Sequence, residues 1–295
     1  MLKSNLIGAG TAVRPDRTSN PIEIRENNMA SKPQSVSSVP KGFHTITPYL
    51  MASDVPKLVD FITRVFDGEK TMMSAAGSSG GIHAEVRVGN SMLMLGGGGP
   101  GFSWQGAPAP TSFHIYVKDV DATYNRAIEA GATSLHEVVD QSYGERSGSV
   151  QDLAGNHWYI AFPTYLGDKY TPDAVQTVQV FLHPLKAAPV ADFLTRAFGA
   201  EELGRYTSPV GVIAHTTVKI GDSTLEMADA HGIYEPMPTT FYLYVPNPDA
   251  TYASALQAGA TSIYPVADQP YGDRNGGIKD PFGNTWYVAT HIRDM

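Results

Sequence analysis

Hydrophobic and polar residues alternate along residues 44–50 (HTITPYL), which is the period-two pattern of a half-buried strand. A helical pattern follows directly after this strand. Ser53 or Asp54 suits the N-cap, Pro56 suits the first turn, and apolar residues recur at helical spacing over residues 58–66. This part of the chain therefore predicts a strand that leads into an amphipathic helix.

Three further strands are predicted after this helix, at residues 69–74, 81–89 and 91–96, with a glycine–asparagine turn between the last two. The same order of elements starts again at residue 111 with a strand, a helix that ends near Gly131, and three more extended stretches. One strand, one helix and three strands thus form a repeating βαβββ unit.

The chain contains this pair of units twice. Residues 113–161 and 241–289 are identical at 26 of 49 positions when they are aligned without a gap. The preceding segments align at a different offset and share Phe61, Arg64, Phe66, His83, Gly89, Ser91 and Leu93 with Phe193, Arg196, Phe198, His215, Gly221, Ser223 and Leu225. We therefore predict an α+β fold of four βαβββ units, with one domain at 41–163, a linker at 164–174 and a second domain at 175–295.

The composition excludes several classes of functional site and partner but adds little to the prediction of the fold. The chain of 295 residues has no cysteine and a net charge of −8, which excludes disulfides and thiolate sites and disfavours nucleic acid as a partner. It has neither a run of about 18 apolar residues nor the apolar core of a secretory signal, so we predict a cytoplasmic protein with no membrane partner. Residues 1–40 contain four prolines and a serine cluster, and we predict that this tail is disordered.

Several longer stretches of sequence resemble those of a known superfamily. They are HTITPYL (44–50), GIHAEVRVGNSMLML (81–95), YVKDVDATYNRAIEAGA (116–132), DQSYGERSG (140–148), DLAGNHWYIA (152–161), AFGAEE (197–202), DQPYGDRNG (268–276) and DPFGNTWYVATH (280–291). With them the chain resembles the vicinal oxygen chelate superfamily, and most closely its glyoxalase-like and bleomycin-resistance-like members, over residues 44–292. The resemblance implies paired βαβββ units whose sheets curl into two open cups. In the enzymes of that superfamily, a divalent metal is bound inside the cup.

The resemblance also implies where metal ligands would lie, on the first and fourth strands of each unit. These positions carry Thr47, Met94, His114 and Tyr159 in the first copy and Gln179, Glu226, Tyr242 and Tyr287 in the second. If each copy closes its own cup, neither cup has a complete ligand set. If units from different copies pair, one cup gathers Gln179, Glu226 and His114, which suit a zinc, nickel, manganese or iron ion.

Two functions remain open on the sequence. The first is a binding protein without a cofactor, because the residues predicted to face the cups are aromatic or soft and suit a small, flat organic molecule. The predicted ligand-binding residues are Tyr49, Met94, Trp104, His114, Tyr116, His157, Tyr159, Tyr242, Tyr244 and Tyr287. The second is a glyoxalase-like lyase or isomerase, with one divalent metal on His114, Gln179 and Glu226 and with Glu226 as the catalytic residue that moves a proton. A chain with four units is compatible with either a monomer or a homodimer.

Structural interpretations compete with these roles. Glu226 could instead be a solvated residue at the end of a strand. His114 could instead be a hydrogen-bonded residue in the wall of the cup. Trp158 and Trp286 lie one residue away from the cup-facing tyrosines, so strand alternation predicts that both indoles point into the core between sheet and helices.

Overall fold

Four units of one strand, one helix and three strands follow one another along residues 36–76, 80–167, 169–173 and 175–294, which are the residues that this computed structural model describes. This arrangement confirms the predicted α+β fold of four βαβββ units. The predicted disordered tail lies outside the described residues as far as residue 35, while residues 36–40 are placed against the sheet that contains the first strand.

The two units of the first copy have closely similar element lengths. The first unit consists of β1 (Ile46–Ala52), α1 (Val55–Val65), β2 (Glu69–Ala76), β3 (Gly81–Val88) and β4 (Ser91–Gly97). The second consists of β5 (Ser112–Tyr116), α2 (Val120–Glu129), β6 (Thr133–Asp140), β7 (Glu145–Gln151) and β8 (His157–Pro163). A single 3-10 turn, Thr164–Leu166, follows at the start of the predicted linker.

The second copy repeats this order. The third unit consists of β9 (Val178–Leu182), α3 (Ala187–Phe198), β10 (Glu201–Thr207), β11 (Ile213–Ile220) and β12 (Ser223–Met227). The fourth consists of β13 (Thr240–Tyr244), α4 (Pro248–Gln257), β14 (Thr261–Asp268), β15 (Asp273–Lys279) and β16 (Thr285–His291). Among the described residues, no helix combines the length and the apolar content that a membrane span requires.

Each eight-stranded sheet combines units from different copies. One sheet has the strand order β14-β15-β16-β13-β1-β4-β3-β2, and the other has the order β10-β11-β12-β9-β5-β8-β7-β6. The units join through antiparallel pairs, with Thr47 opposite Tyr242 in the first sheet and His114 opposite Gln179 in the second. Of the two pairings that the sequence leaves open, the structure therefore has the crossed one. Because both sheets contain strands from both copies, the boundaries 41–163 and 175–295 remain predictions about the sequence repeat.

We call the face of each sheet that lies opposite its helices a cup. The inner cup belongs to the second and third units (β5 to β12), and the outer cup belongs to the first and fourth units (β1 to β4 and β13 to β16).

Two tight turns, one in each sheet, pack against the other sheet. Gly89 (φ +57°) and Gly221 (φ +60°) occupy the turns before β4 and β12, in the left-handed region that favours glycine. A Cβ atom at Gly89 would collide with the side chain of Thr177, and one at Gly221 would collide with that of Thr45. Each turn therefore packs against the start of a strand in the other copy, which helps to fix the crossed pairing.

The largest side chains fill the space between sheets and helices, as strand alternation predicts. Trp158 is fully buried, and its ring stacks on Phe113 with centroids 4.5 Å apart. Its indole N–H donates a hydrogen bond of 2.8 Å to the buried carboxylate of Asp152. Trp286 makes the equivalent bond to Asp280 at 3.0 Å. Both indoles therefore point away from the cups and pack on the helix-facing side of the sheets.

Candidate functional site

The inner cup contains a cavity of about 210 Å³. Strands of the second and third units contribute to it, together with the segment that follows β12. Its lining includes four imidazoles and four other aromatic rings, which are His114, His136, His183, His231, Tyr143, Tyr159, Phe181 and Tyr234. A space of this kind suits a compact molecule with a ring, because most of its wall offers flat, weakly polar surface.

Four of these rings form one packed wall. The rings of His183 and Tyr234 stack with centroids 5.0 Å apart, and Tyr159 contacts Phe181 edge to face at 5.4 Å. The hydroxyl of Tyr159 lies 2.9 Å from Nε2 of His183. Burial, helped by the neighbouring His231, lowers the pKa of His183 to about 4, so this imidazole is neutral near pH 7. A neutral Nε2 accepts a hydrogen bond from the hydroxyl of Tyr159, so this bond holds the wall together with the ring contacts.

A buried ion pair lies beside this wall. Nδ1 of His114 on β5 is 2.9 Å from Oε2 of Glu226 on β12, and the two residues are only 9% and 6% exposed. The side-chain amide of Gln179 donates a hydrogen bond of 3.2 Å to the other carboxylate oxygen of Glu226. Two further groups are near, with Nε2 of His215 3.8 Å from Glu226 and Oε2 of Glu145 3.7 Å from Nε2 of His114.

The ion pair shifts the pKa of both partners away from neutrality. Burial alone would raise the pKa of Glu226, but the adjacent imidazolium of His114 outweighs burial and holds that pKa well below its usual range. Burial alone would lower the pKa of His114, but attraction and hydrogen bonding to Glu226 outweigh it and raise that pKa. Glu145 behaves differently, because burial dominates there and raises its pKa. Near pH 7 the inner cup therefore holds a charged His114–Glu226 pair.

We expect the contribution of this pair to stability to be greatest between pH 4.5 and pH 6.5, the ordinary pKa values of its two groups. The pKa of Glu226 is lowered on folding, so its contribution is present above pH 4.5 and is lost as the pH falls through the folded value. The pKa of His114 is raised on folding, so its contribution is present below pH 6.5 and is lost as the pH rises through the folded value of about 9.

The measurement is the difference in free energy of unfolding between the wild type and the double variant His114→Tyr, Glu226→Met at a series of pH values. This variant places in the inner cup the residue types that Tyr242 and Met94 provide at the equivalent outer-cup positions. The difference should shrink on both sides of the stated range. A difference that stays constant from acid to alkaline pH would contradict the charge assignment.

The outer cup is filled by the protein itself. Tyr49 contacts Tyr287 edge to face at 5.9 Å, and Met94, Tyr242 and Tyr244 are buried in the same cluster. The segment before β1 lies over them, because Phe43 packs against the ring of Tyr244 at 5.9 Å and the carbonyl oxygen of Ser38 accepts a hydrogen bond of 3.0 Å from the backbone of His291.

The polar groups of the outer cup are also occupied. Asp273, which aligns with Glu145 in the repeat, accepts hydrogen bonds from the hydroxyls of Tyr242 (2.8 Å) and Tyr244 (3.3 Å). Its other oxygen lies 2.9 Å from Nδ1 of His291. The two cups thus differ, since a cluster of packed side chains occupies the outer cup and the inner cup contains a cavity.

Comparisons with known proteins agree with this architecture. The sequence model of the Glyoxalase/Bleomycin resistance protein/Dioxygenase superfamily matches residues 186–288. An uncharacterized protein of Mycobacterium bovis is 35% identical over 120 residues, which span 37% of this chain and 79% of that protein. The chain belongs to the glyoxalase/bleomycin resistance/dioxygenase superfamily.

Two further comparisons extend the likeness. An uncharacterized protein of Mycobacterium tuberculosis is also 35% identical over 120 residues, which span 37% of this chain and 71% of the relative. The crystal structure of glyoxalase I from Zea mays has a TM-score of 0.64 at 13% identity, and covers 83% of this chain and 92% of that one. Identity this low shows a shared fold alone, and the superfamily fold hosts several chemistries. The function must therefore be argued from the residues of the cups.

The superfamily implies a divalent metal, but the donor groups of the inner cup do not fit one in this arrangement. His114 and Glu226 are bonded to each other. The amide oxygen of Gln179 accepts a hydrogen bond from the hydroxyl of Thr224, and its nitrogen faces Glu226. The hydroxyl of Tyr159 bonds to His183. Across the described ranges, no group of three or more histidine, aspartate or glutamate residues is arranged to hold a metal ion.

The structure divides the predicted ligand-binding residues into groups, and their role remains a prediction. His114 and Tyr159 line the cavity of the inner cup. Tyr116 packs on His114 with centroids 4.5 Å apart, and His157 is buried in the neighbouring strand β8. The outer cup contains Tyr49, Met94, Tyr242, Tyr244 and Tyr287. Trp104 lies in the loop after β4, next to Gly81 and Gly98. The predicted metal ligands Gln179, Glu226 and His114 do come together.

Several residues of the cavity wall were missed by the sequence reasoning. Phe181 and His183 continue the alternation of Gln179 along and beyond β9, so period two alone points to them. His231 and Tyr234 lie in an irregular segment after β12, where no periodicity identifies an inward side chain. Glu145 begins β7 in a stretch that is notable for its glycines and its arginine, and only the three-dimensional pairing brings it to the cup.

Proposed function

We propose that this protein binds a small organic molecule with an aromatic ring in the inner cup, and that it does so without a metal cofactor. The observation that carries the proposal is the cavity of about 210 Å³ with rings along its wall. Pockets for drug-sized ligands have volumes of about 300–1,000 Å³, so a ligand with a single ring is the better match. A cytoplasmic location and a monomeric or homodimeric state remain part of this proposal.

The rings of the wall supply the expected binding energy. Tyr159, Phe181 and Tyr234 offer edges and faces to a planar guest, and such aromatic contacts contribute about 0.5–1.5 kcal/mol each beyond the burial of area. His183 adds a further flat surface that is neutral near pH 7. The ring wall is already held by its own contacts, so a ligand would lose little affinity to ordering the site.

A second candidate is a metal-dependent lyase or isomerase of the glyoxalase type. It is favoured by the meeting of His114, Gln179 and Glu226 in one cup. A metal would first have to separate the His114–Glu226 ion pair and turn the amide oxygen of Gln179 away from Thr224. Opening a buried ion pair and removing a proton from a stabilised imidazolium both weaken metal binding. We therefore place this activity second.

A bulky side chain at the cavity should prevent binding. Ala214 on β11 lines the cavity but is exposed, so Ala214→Trp is expected to fill the space without disturbing the core. Titrations of benzyl alcohol, benzylamine and benzoate, followed by ligand-observed NMR, should show at least about tenfold weaker binding by this variant, since displaced ring contacts are worth more than 1.4 kcal/mol. Val210 is 85% exposed and lies outside the cavity lining, so Val210→Trp is the matched control and should bind as the wild type does.

Metal analysis of the same preparations separates the two candidates. The protein should be purified without chelator and assayed for zinc, nickel, manganese and iron. Stoichiometric metal that both Glu226→Ala and His114→Ala abolish would favour the lyase. If Ala214→Trp binds all three ring compounds as tightly as the wild type does, the site cannot be in the inner cup.

A further inference from the structure

Among the residues that the structure describes, one carboxylate in the inner cup has no close cationic partner. Glu145 lines the cavity, and its side chain is 12% exposed. Nε2 of His114 lies 3.7 Å from its Oε2 atom, which is beyond hydrogen-bonding distance. The charge of His114 is already matched by Glu226 at 2.9 Å. The ion pair is neutral as a unit, so Glu145 leaves an excess of negative charge at the cavity wall.

Local structure fixes the direction of this carboxylate. β7 begins at Glu145, and the next residue, Arg146, points to the opposite face of the sheet. There the guanidinium of Arg146 binds both carboxylate oxygens of Asp121 at 2.7 and 2.6 Å and one oxygen of Asp140 at 2.9 Å. These bonds tie the start of β7 to α2 and β6. Glu145 is therefore held toward the cavity while the neighbouring cation is occupied elsewhere.

The phenol rings of the wall are also suited to positive charge. The rings of Tyr143, Tyr159 and Tyr234 line the cavity, and the faces of phenol rings attract cations. In the part of the chain that the structure describes, no lysine or arginine is among the lining residues. The net charge of −8 adds a long-range attraction in the same direction.

We propose that the inner cup selects organic cations, namely amines that carry an aromatic ring, with Glu145 as their counter-ion. This inference rests on the proposed function and specifies the class of ligand. The ring lies among Tyr159, Phe181 and Tyr234, and the ammonium group lies between Glu145 and the phenol faces. A neutral ring compound would leave Glu145 desolvated and unpaired, and an anion would be repelled by it.

The experiment uses three probes that share one ring and differ in charge. Benzylammonium is cationic, benzyl alcohol is neutral and benzoate is anionic. Each is titrated at about pH 8 by calorimetry or NMR. The proteins are the wild type, Glu145→Gln, and Glu137→Gln, which removes the same charge from an exposed residue of β6 outside the cavity lining.

We expect wild-type protein to bind benzylammonium at least about tenfold more tightly than benzyl alcohol or benzoate, the size of effect that a hydrogen bond to a charged group gives. Glu145→Gln should abolish this preference while it retains the affinity for benzyl alcohol, and Glu137→Gln should keep the preference. Two outcomes would overturn the proposed preference for cations but leave the ring site intact. In the first, benzyl alcohol or benzoate binds as tightly as benzylammonium. In the second, Glu145→Gln keeps the preference for benzylammonium. No binding of any probe would overturn both the inference and the proposed function.

Discussion

Glu226→Ala is expected to lower the free energy of unfolding by about 3–5 kcal/mol, because removing one partner of a buried ion pair leaves the other desolvated and unpaired. The carboxylate of Glu226 accepts a hydrogen bond of 2.9 Å from Nδ1 of His114 and one of 3.2 Å from the side-chain amide of Gln179. Both bonds disappear in the variant. Denaturation with urea, monitored by the fluorescence of the buried Trp158 and Trp286, measures the change.

Two further variants test whether the loss comes from unpaired charge. Glu226→Gln keeps the shape and one acceptor oxygen, so it should cost less than Glu226→Ala. The double variant His114→Tyr, Glu226→Met removes both charges and adopts residue types that already pack in the outer cup, as Tyr242 and Met94 do. We expect it to recover most of the lost stability, since replacing a whole buried pair by apolar groups is often neutral. A cost below about 1 kcal/mol for Glu226→Ala would instead match a solvated surface pair and contradict the buried one.

Much of the fold could be predicted because it depends on local patterns and on the repeat. Alternation over residues 44–50 predicted β1, and the carboxylate of Asp54 caps α1 by accepting a hydrogen bond of 3.1 Å from the backbone of Lys57. The repeat gave the number and order of units. The pairing of units could not be decided in this way, because either pairing buries the same strand faces. It depends on contacts between copies, such as that of Gly89 with Thr177.

The candidate site was predictable only where residues lie on regular strands. The meeting of His114, Gln179 and Glu226 follows from their strand positions once the crossed pairing is known. Their orientation does not follow, because a side chain such as Gln179 can direct either its oxygen or its nitrogen inward. The contribution of Tyr234 depends on the path of an irregular segment, and strand periodicity carries no information about such a path.

The difference between the two cups is the reason that we assign the proposed binding site to the inner cup. His114 in the inner cup is replaced by Tyr242 at the equivalent position of the outer cup. Glu226 in the inner cup is likewise replaced by Met94. In the outer cup a tyrosine reaches Asp273 with its own hydroxyl, so the carboxylate is satisfied within the protein. In the inner cup the shorter His114 bonds to Glu226, and Glu145 remains available at the cavity.

A crystal structure of the protein with a bound ligand tests most directly where the ligand binds. Crystals should be soaked in whichever of benzylamine, benzyl alcohol and benzoate binds most tightly in the titrations above. We predict density for one ring among Tyr159, Phe181 and Tyr234 of the inner cup, an intact His114–Glu226 pair, and an outer cup in which Phe43 still covers Tyr244. A ring bound in the outer cup, or a metal ion held by separated side chains of His114 and Glu226, would contradict the account.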